Sequence, residues 1–281
     1  MLSEVLFTNR IMITFINDKP QKLMKACLNV DGLSYGAFMK LLRKKDIKVN
    51  GVRTGKDIPV SIGDKIELYY TVEQIQPFTV VYVDQNVVIV NKKSGFNSDT
   101  VYETLLKTYQ TAKYIHRLDR NTSGIMAFAL NDRAESELLN GFKNRTFDKK
   151  YLCTVYGLVR KDEEVLTAYL VKDEKTSTVK IFDSQIKGAV AIKTGYKVLN
   201  RADETTDLEV TLYTGKTHQI RAHLAHIGHF IIGDGKYGVN EINKKFSAKT
   251  QKLHAYKLTF KFDKIDLLYY LNDKTFSTDG Y

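Results

Sequence analysis

The chain has 281 residues, 43% of them hydrophobic and 27% charged, which is ordinary for a globular protein. Its 43 lysine and arginine residues exceed its 32 acidic residues, and the resulting net charge of +11 favours a polyanionic partner such as nucleic acid or an anionic membrane surface. No stretch approaches the ~20 apolar residues of a spanning helix, and the two cysteines fit neither a CxxC pair nor a secreted disulfide framework. We therefore expect a cytoplasmic protein with no membrane span.

The first predicted unit covers residues 1–73 and combines helix and strand signals. Ser34 is a favourable N-cap residue for a helix that ends in a basic run. Residues 47–52 are a strand signal broken by Asn-Gly, the strongest short signal for a hairpin. Residues 62–68 add a turn and an alternating strand. Together these patterns predict a small α/β domain.

This order of elements, with its IKVNG and GDKI segments, resembles the S4-type RNA-binding module of ribosomal proteins and RNA-modifying enzymes. The resemblance implies that a cluster of cations at the helix end contacts RNA phosphates. The alternative is that these cations only complement the dipole at the C-terminal end of the helix. The cluster consists of Arg43, Lys44, Lys45 and Lys48.

Residues 74–77 form a short polar connection and are a candidate linker to a second unit over residues 78–281. Apolar runs at 78–83 and 87–91 flank an Asp-Gln-Asn turn and predict two strands. Strand signals outnumber helix signals without a regular alternation of the two. The second unit is therefore predicted to be an α+β domain, with a mixed, largely antiparallel sheet and flanking helices.

Two predicted helices of this unit follow strand signals. Asp132 and Glu135 form a capping-box pattern for a helix whose inward side chains include Leu139. Thr217 is a candidate N-cap for a second helix that runs to Ile227. At 100° per residue, Arg221 borders the apolar stripe of that helix and can be partly buried.

The densest chemical signal is HRLDRNTSG at residues 116–124. It places Asp119 between two arginines, ahead of a turn and a buried strand. Arginines this close favour the ionised carboxylate, and the turn would present it at the mouth of the sheet. His116 is expected to be a hydrogen-bonded structural residue. An aspartate before a turn is also commonly only a turn residue, so the motif alone supports both interpretations.

HRLDRNTSG also matches the signature of the RluA-type pseudouridine synthases. Three further segments resemble that family in the right order: VVIVNKKSG before the signature, then KKYLCTVYG and TGKTHQIRAHLAHIGHFIIGD after it. The resemblance implies an RNA-modifying isomerase that needs no cofactor and no metal, and we expect the protein to be a monomer. Its expected substrate is structured RNA, with large-subunit ribosomal RNA first and transfer RNA second.

The resemblance also implies roles for four residues. Asp119 stands at the family's catalytic aspartate, and Arg221 at the basic residue paired with it. Tyr151 stands at the tyrosine that stacks on the target base, and Arg117 at an arginine that enters the RNA helix as the base is flipped out. Departures from the family pattern, which affect the expected substrate more than the chemistry, occur at Lys93, Lys216 and Phe230.

Two alternatives remain at this point. A metal-dependent hydrolase could use the histidines that crowd the last family segment, although the apolar residues between them favour a packed helix. A catalytically silent RNA-binding protein would be favoured if Asp119 or Arg221 were replaced, and both are present. The candidate metal ligands are His218, His223 and His226.

Overall fold

The structure is a computed structural model that describes residues 8–30, 33–73, 76–174 and 176–280. The chain divides into two compact units, Met1–Gln76 and Pro77–Tyr281. Residues 1–7 of the predicted first domain and the first two residues of the predicted linker lie outside the described residues. In the ranges that are described, no helix is both long and apolar enough to cross a membrane.

The N-terminal unit is built around a small antiparallel sheet. Its elements are β1 (Thr8–Ile16), β2 (Gln21–Lys22), α1 (Leu23–Cys27), α2 (Tyr35–Lys44), β3 (Ile47–Val49), β4 (Val52–Thr54), β5 (Pro59–Val60) and β6 (Lys65–Glu73). As far as the chain is described, β1, β6, β3 and β4 form a four-stranded sheet in that order, and β2 pairs with β5. The apolar side of α2 packs into the same core as β3 and β6.

Local signals in this unit have the predicted effect. The Ser34 hydroxyl accepts a hydrogen bond from the Ala37 N–H at 3.2 Å and so caps α2. The Asn-Gly pair connects β3 and β4, which pair as a hairpin. Only residues 45 and 46 separate the end of α2 from β3, so the basic residues at the end of the helix lie close to the start of that strand.

The C-terminal unit contains a large sheet with flanking helices. Its strands are β7 (Phe78–Val83), β8 (Val87–Lys92), β9 (Lys113–Tyr114), β10 (Ser123–Ala129), β11 (Asp148–Tyr156), β12 (Glu163–Asp173), β13 (Thr178–Phe182), β14 (Val190–Ala202), β15 (Thr205–Leu212), β16 (Leu253–Thr259) and β17 (Thr275–Ser277). Its helices are α3 (Ser98–Leu106), α4 (Asp132–Asn144), α5 (Gln219–His226), α6 (Asn240–Lys245) and a 3-10 helix (Leu267–Leu271).

The strands of this unit are arranged in the order β13-β12-β14-β15-β11-β16-β10-β8-β7, with β9 beside β10 and β17 beside β16. Among the described strand pairs of this sheet, β10 and β16 are parallel and the others are antiparallel. The predicted α+β class with a mixed, largely antiparallel sheet is confirmed. The parallel pair involves Ser123 and Gly124, the first two residues of β10, which directly follow the HRLDRNT loop. The pairing with β16 therefore fixes the end of that loop.

The centre of the sheet is buried on both faces. Val88 and Val90 of β8 belong to one apolar cluster, and the alternate residues Val87 and Ile89 belong to another. Burying each such side chain contributes about 1.5–3 kcal/mol. A strand buried on both faces has a continuous apolar sequence, and β10 shows the same pattern over residues 125–129.

Two predicted helix starts are wrong. Asn131 caps α4 by accepting a hydrogen bond from the Ala134 N–H at 2.9 Å, so Asp132 is already helical and no capping box forms. His218, not Thr217, is the N-cap residue of α5, which ends at His226. The left-handed backbone of His218 turns the chain into α5 one residue later than predicted. The inward position predicted for Leu139 is also wrong, because the residue is 42% exposed.

Candidate active site

Asp119 lies on the loop that connects β9 to β10. The Thr122 N–H donates a hydrogen bond to the Asp119 carbonyl at 3.0 Å, which closes the turn ahead of the buried strand. The Asp119 side chain is 24% exposed. The turn thus leaves the carboxylate accessible at the edge of the core, where a reacting group can meet it.

Arg221 of α5 joins two carboxylates. Its Nη1 donates a hydrogen bond to Asp119 Oδ2 at 2.7 Å. Its Nε and Nη2 donate to the two carboxylate oxygens of Asp234 at 2.7 and 2.8 Å. The fork is charge-assisted and bidentate, which fixes the guanidinium in its plane. The Arg221 side chain is only 7% exposed, so the pairing expected from the family resemblance occurs in a buried setting.

The charges of this trio stabilise one another. Burial lowers the pKa of Arg221, but hydrogen bonds and charge interactions with Asp234 and Asp119 outweigh burial and raise that pKa overall. Burial raises the pKa of Asp234, but its interactions with Arg221 and two backbone N–H groups outweigh burial and lower it overall. Arg221 and Asp234 are therefore both charged at neutral pH.

Asp234 was not singled out by the sequence analysis. It is fully buried, and its Oδ1 also accepts hydrogen bonds from the backbone N–H groups of Lys236 and Tyr237 at 2.8 and 3.1 Å. A signal was available in the last family segment, where an apolar run ends in Gly-Asp. An arginine buried in a helix needs a buried counter-charge, and this aspartate supplies it.

Lys92 is a second residue that the sequence analysis missed. It is fully buried at the end of β8, and its Nζ donates hydrogen bonds to the carbonyl groups of Lys93, Phe96 and Arg120 at 2.7 to 3.0 Å. Burial lowers the pKa of Lys92 to about 8, against the opposing effect of the Asp119 charge. Lys92 thereby ties the loop after β8 to the residue that follows Asp119.

Two glycines hold the loops of both aspartates against one backbone segment, residues 250–255. Gly124 has φ +118, and a Cβ there would lie 2.3 Å from the Ala255 carbonyl oxygen. Gly233 has φ +83, and a Cβ there would lie 2.0 Å from the Thr250 carbonyl oxygen. Only glycine allows such close approach at positive φ. The loops that carry Asp119 and Asp234 are therefore positioned by contacts with the same backbone segment.

Tyr151 lies on β11 and is 8% exposed. Burial raises the pKa of its hydroxyl, and the negative charge of Asp119 raises it further. Arg117 is exposed on the loop, while the Arg120 Nε donates a hydrogen bond to the Gly95 carbonyl at 3.0 Å. Among the described residues, the cation paired with Asp119 is thus Arg221 and not the flanking arginines that the sequence suggested.

The three candidate metal ligands do not converge. Among their polar contacts, a ring nitrogen of His218 meets the Tyr237 hydroxyl, one of His223 meets the Thr194 hydroxyl, and one of His226 meets the Asp183 carboxylate. In the described part of the chain, no group of three or more His, Cys, Asp or Glu side chains is placed to hold a metal ion.

His116 has the structural environment that the sequence predicted. Its Nε2 accepts a hydrogen bond from the Ala127 N–H at 3.0 Å, and its ring stacks on Phe142 at 4.3 Å between centroids. Burial lowers the pKa of His116 to about 3, with the Lys149 charge acting in the same direction. The ring is therefore neutral and anchors the start of the signature loop.

The basic cluster of the N-terminal unit is mostly exposed. Arg43 and Lys44 occupy the last turn of α2, and Lys45 is its C-cap residue. All three are exposed, whereas Lys48 on β3 is half-buried with its Nζ 5.1 Å from the centre of the Tyr69 ring. This placement is compatible with phosphate contacts and with the helix-dipole alternative.

Comparison with known proteins gives a consistent family. Residues 86–226 match the family model described as RNA pseudouridylate synthase, a segment that includes Asp119, Tyr151 and Arg221. The dual-specificity RNA pseudouridine synthase RluA of Yersinia pestis is 33% identical over 195 residues, covering 64% of this chain and 90% of that protein. The ribosomal large subunit pseudouridine synthase C of Rickettsia conorii is 31% identical over 241 residues, covering 75% of this chain and 79% of that protein.

Solved structures agree on the fold. The structure of human RNA pseudouridylate synthase domain containing 1 superposes with a TM-score of 0.63 at 24% identity, covering 73% of this chain and 84% of that one. The large, mostly antiparallel sheet is thus shared with that protein. With the family model, the relatives and the paired Asp119 and Arg221 in agreement, the chain belongs to the RNA pseudouridylate synthase family and is an RluA-type isomerase that acts on RNA.

Proposed function

We propose that this enzyme isomerises specific uridines of structured RNA with Asp119 as its catalytic carboxylate. Large-subunit ribosomal RNA is the first proposed substrate and transfer RNA the second. Relatives from Rickettsia conorii and Vibrio parahaemolyticus are named ribosomal large subunit pseudouridine synthase C, which supports this order. We further propose a cytoplasmic monomer that uses no cofactor and no metal.

The observation that carries the proposal is the accessible Asp119 carboxylate, held at 2.7 Å by a buried guanidinium. Pseudouridine formation breaks the N1 glycosidic bond, turns the uracil and rejoins it to the ribose through C5. An anionic carboxylate serves attack on the sugar, attack on the base or proton removal from the ribose. A carboxylate oriented in advance by Arg221 needs little reorganisation when the reaction occurs.

Base flipping brings the uracil to this carboxylate. Extruding a base costs a few kcal/mol of lost stacking and pairing. Stacking on Tyr151 would recover about 1–3 kcal/mol, which is the usual value for a base on an aromatic ring. Arg117, which is exposed on the signature loop, would enter the RNA helix in place of the flipped base.

The N-terminal unit is proposed to hold the RNA. We assign residues 1–73 to an S4-like RNA-binding domain and residues 78–281 to the synthase domain. Exposed cations at the end of α2 would contact phosphates and release counterions. The proposed contact residues are Arg43, Lys44, Lys45 and Lys48.

Loss of the carboxylate charge tests the mechanism. Because the C5 hydrogen leaves to solvent, RNA transcribed with C5-tritiated uridine reports each turnover, whereas the mass of the RNA does not change. Asp119→Asn keeps size and hydrogen-bonding capacity but removes the negative charge. We expect no detectable tritium release, with circular dichroism and RNA affinity near wild type. Substantial release by the Asn variant would overturn the mechanism, and pseudouridine mapping in cells lacking the gene would identify the substrate.

A further inference from the structure

His218 lies beside the proposed catalytic carboxylate, and among the described residues it does not converge with the other two candidate metal ligands. Its Nε2 is 3.9 Å from Asp119 Oδ2. That distance is too long for a direct hydrogen bond. The side chains of His218 and Asp119 are 12% and 24% exposed. Both groups can therefore meet one bound nucleotide.

The backbone of His218 is held in an unusual conformation. It has φ 53° and ψ 17°, the left-handed region that few non-glycine residues occupy. Its carbonyl accepts a hydrogen bond from the Ala222 N–H at 2.9 Å, which fixes it to the first turn of α5. Backbone strain of this kind, about 1–3 kcal/mol, is found preferentially at functional sites.

The Nδ1 atom of His218 faces the Tyr237 hydroxyl, and this contact bears on which ring nitrogen carries the proton. The Tyr237 hydroxyl oxygen accepts a hydrogen bond from the Val179 N–H at 2.8 Å and lies 2.9 Å from His218 Nδ1. If the hydroxyl donates its own proton to Nδ1, all three groups are satisfied. Burial lowers the pKa of His218, although Asp119 opposes it, so the ring is mainly neutral at pH 7. The proton of the neutral ring is then on Nε2, the nitrogen nearer to Asp119.

We propose that His218 is a further catalytic residue, which donates a hydrogen bond from Nε2 to a carbonyl oxygen of the flipped uracil, and that Tyr237 is its positioning residue. This inference rests on the proposed role of Asp119. When the bond between C1′ and N1 breaks, its electron pair stays on the uracil, and the negative charge spreads to the carbonyl oxygens. A fixed donor at such an oxygen stabilises this charge more than it stabilises neutral uridine. No proton passes to the uracil from His218.

Matched substitutions separate this role from a purely structural one. Glutamine can place an amide N–H near the position of Nε2, whereas asparagine places its amide near Nδ1. Asparagine and glycine, however, tolerate the left-handed backbone better than glutamine does. If His218 only shapes the backbone, Asn and Gly should preserve activity and Gln should not. If His218 donates from Nε2, the order is reversed.

The measurement is single-turnover tritium release from saturating C5-tritiated RNA of the type that the wild type modifies. We expect His218→Gln within about tenfold of wild type, and the Asn and Gly variants about 100-fold slower or more, as for the loss of one charge-stabilising donor. RNA affinity and circular dichroism should not change. Activity in the Asn and Gly variants, or equal rates in all three, would overturn the proposal. Activity in Asp119→Asn would instead overturn the proposed function.

The tautomer provides a second measurement that does not depend on turnover. Long-range ¹⁵N–¹H spectra at pH 7.5 should show the His218 ring protonated at Nε2, with the His218→Gln spectrum used for assignment. Tyr237→Phe should yield a mixture of tautomers and a lower single-turnover rate at unchanged RNA affinity. A ring protonated at Nδ1 in the wild type would contradict the proposed donor, whatever the rates of the variants.

Discussion

The basic cluster of the N-terminal unit and the cation at the candidate site of the C-terminal unit lie in opposite surroundings. At the end of α2, Arg43, Lys44 and Lys45 are exposed to solvent. In the C-terminal unit, Arg221 is buried, and its nitrogens donate to two carboxylates. Exposed cations contribute little to folding, so their value lies in what they contact outside the protein. A buried cation must be balanced inside, so its loss affects both stability and chemistry.

The largest effect is expected when the buried cation is removed. Arg221→Met leaves Asp119 without its counter-ion and Asp234 as a buried unpaired charge. Tritium release should fall nearly as far as in Asp119→Asn, and the free energy of unfolding should fall by about 3–5 kcal/mol. The comparison variant is Arg53→Met, which removes a surface pair with Asp46 and a hydrogen bond to the Lys45 carbonyl and should cost only about 1–2 kcal/mol. An equal loss in the free energy of unfolding in the two variants would contradict the difference proposed here between buried and exposed cations.

The same variant should change the response to acid. In the wild type, interactions with Arg221 lower the pKa of Asp234, so this group contributes stability above its unfolded pKa and loses it as the pH falls through the lower folded pKa. In Arg221→Met the two backbone N–H groups still favour the charged form of Asp234, but the guanidinium is lost. Burial would then raise the pKa of Asp234 relative to the wild type, and protonation would relieve the unpaired charge. The stability difference between wild type and variant should therefore narrow as the pH falls from 7 to 4. Urea denaturation across that range measures it.

A smaller effect is expected at a buried neutral group. Tyr151→Ala removes the proposed stacking face, and we expect tritium release to slow by about 10- to 100-fold, which corresponds to 1–3 kcal/mol of lost stacking. Tyr151→Phe is the matched control, because it keeps the ring and loses only the hydroxyl. RNA affinity should be largely preserved in both. If the alanine variant turns over as fast as wild type, Tyr151 does not contact the base.

Removing the exposed cations should alter affinity alone. Replacing Lys44, Lys45 and Lys48 by glutamine should weaken RNA binding and make the dependence of log affinity on log salt shallower by up to about 3, one for each lost phosphate contact. Single-turnover release at saturating RNA should stay at the wild-type rate. A control variant with the same charge change carries glutamine at three exposed lysines of the C-terminal unit, Lys107, Lys161 and Lys264. Equal weakening in both variants would mean that net charge, and not this cluster, binds the RNA.

The smallest effect is expected from chelators. Because His218, His223 and His226 contact separate partners, EDTA or phenanthroline should leave tritium release unchanged. Elemental analysis of the purified protein provides the complementary measurement. One transition metal ion bound per chain, together with loss of activity on chelation, would restore the metal hypothesis.

Short-range signals explain what could be predicted from the sequence. Apolar runs predicted the central strands, and Ser34 predicted the start of α2. The apolar stripe of α5 predicted that Arg221 is partly buried, and it is buried in the structure. What failed depends on contacts between distant segments. The role of Asp234 follows from its pairing with Arg221, 13 residues earlier. The role of Lys92 follows from a bond to the Arg120 carbonyl, 28 residues away, in addition to its bonds to the nearby carbonyl groups of Lys93 and Phe96. The α5 cap failed because no local rule predicted a left-handed His218.

The close approach of Gly124 and Gly233 to residues 250–255 affects how a complete mutational survey of this enzyme should be interpreted. Variants at these glycines and at Asp119 would all score as inactive. The Asp119 variants should nevertheless accumulate in cells, whereas a Cβ about 2 Å from a backbone oxygen should deplete the protein itself. Measuring protein abundance together with RNA modification would therefore distinguish residues that act on RNA from residues that allow close packing against residues 250–255.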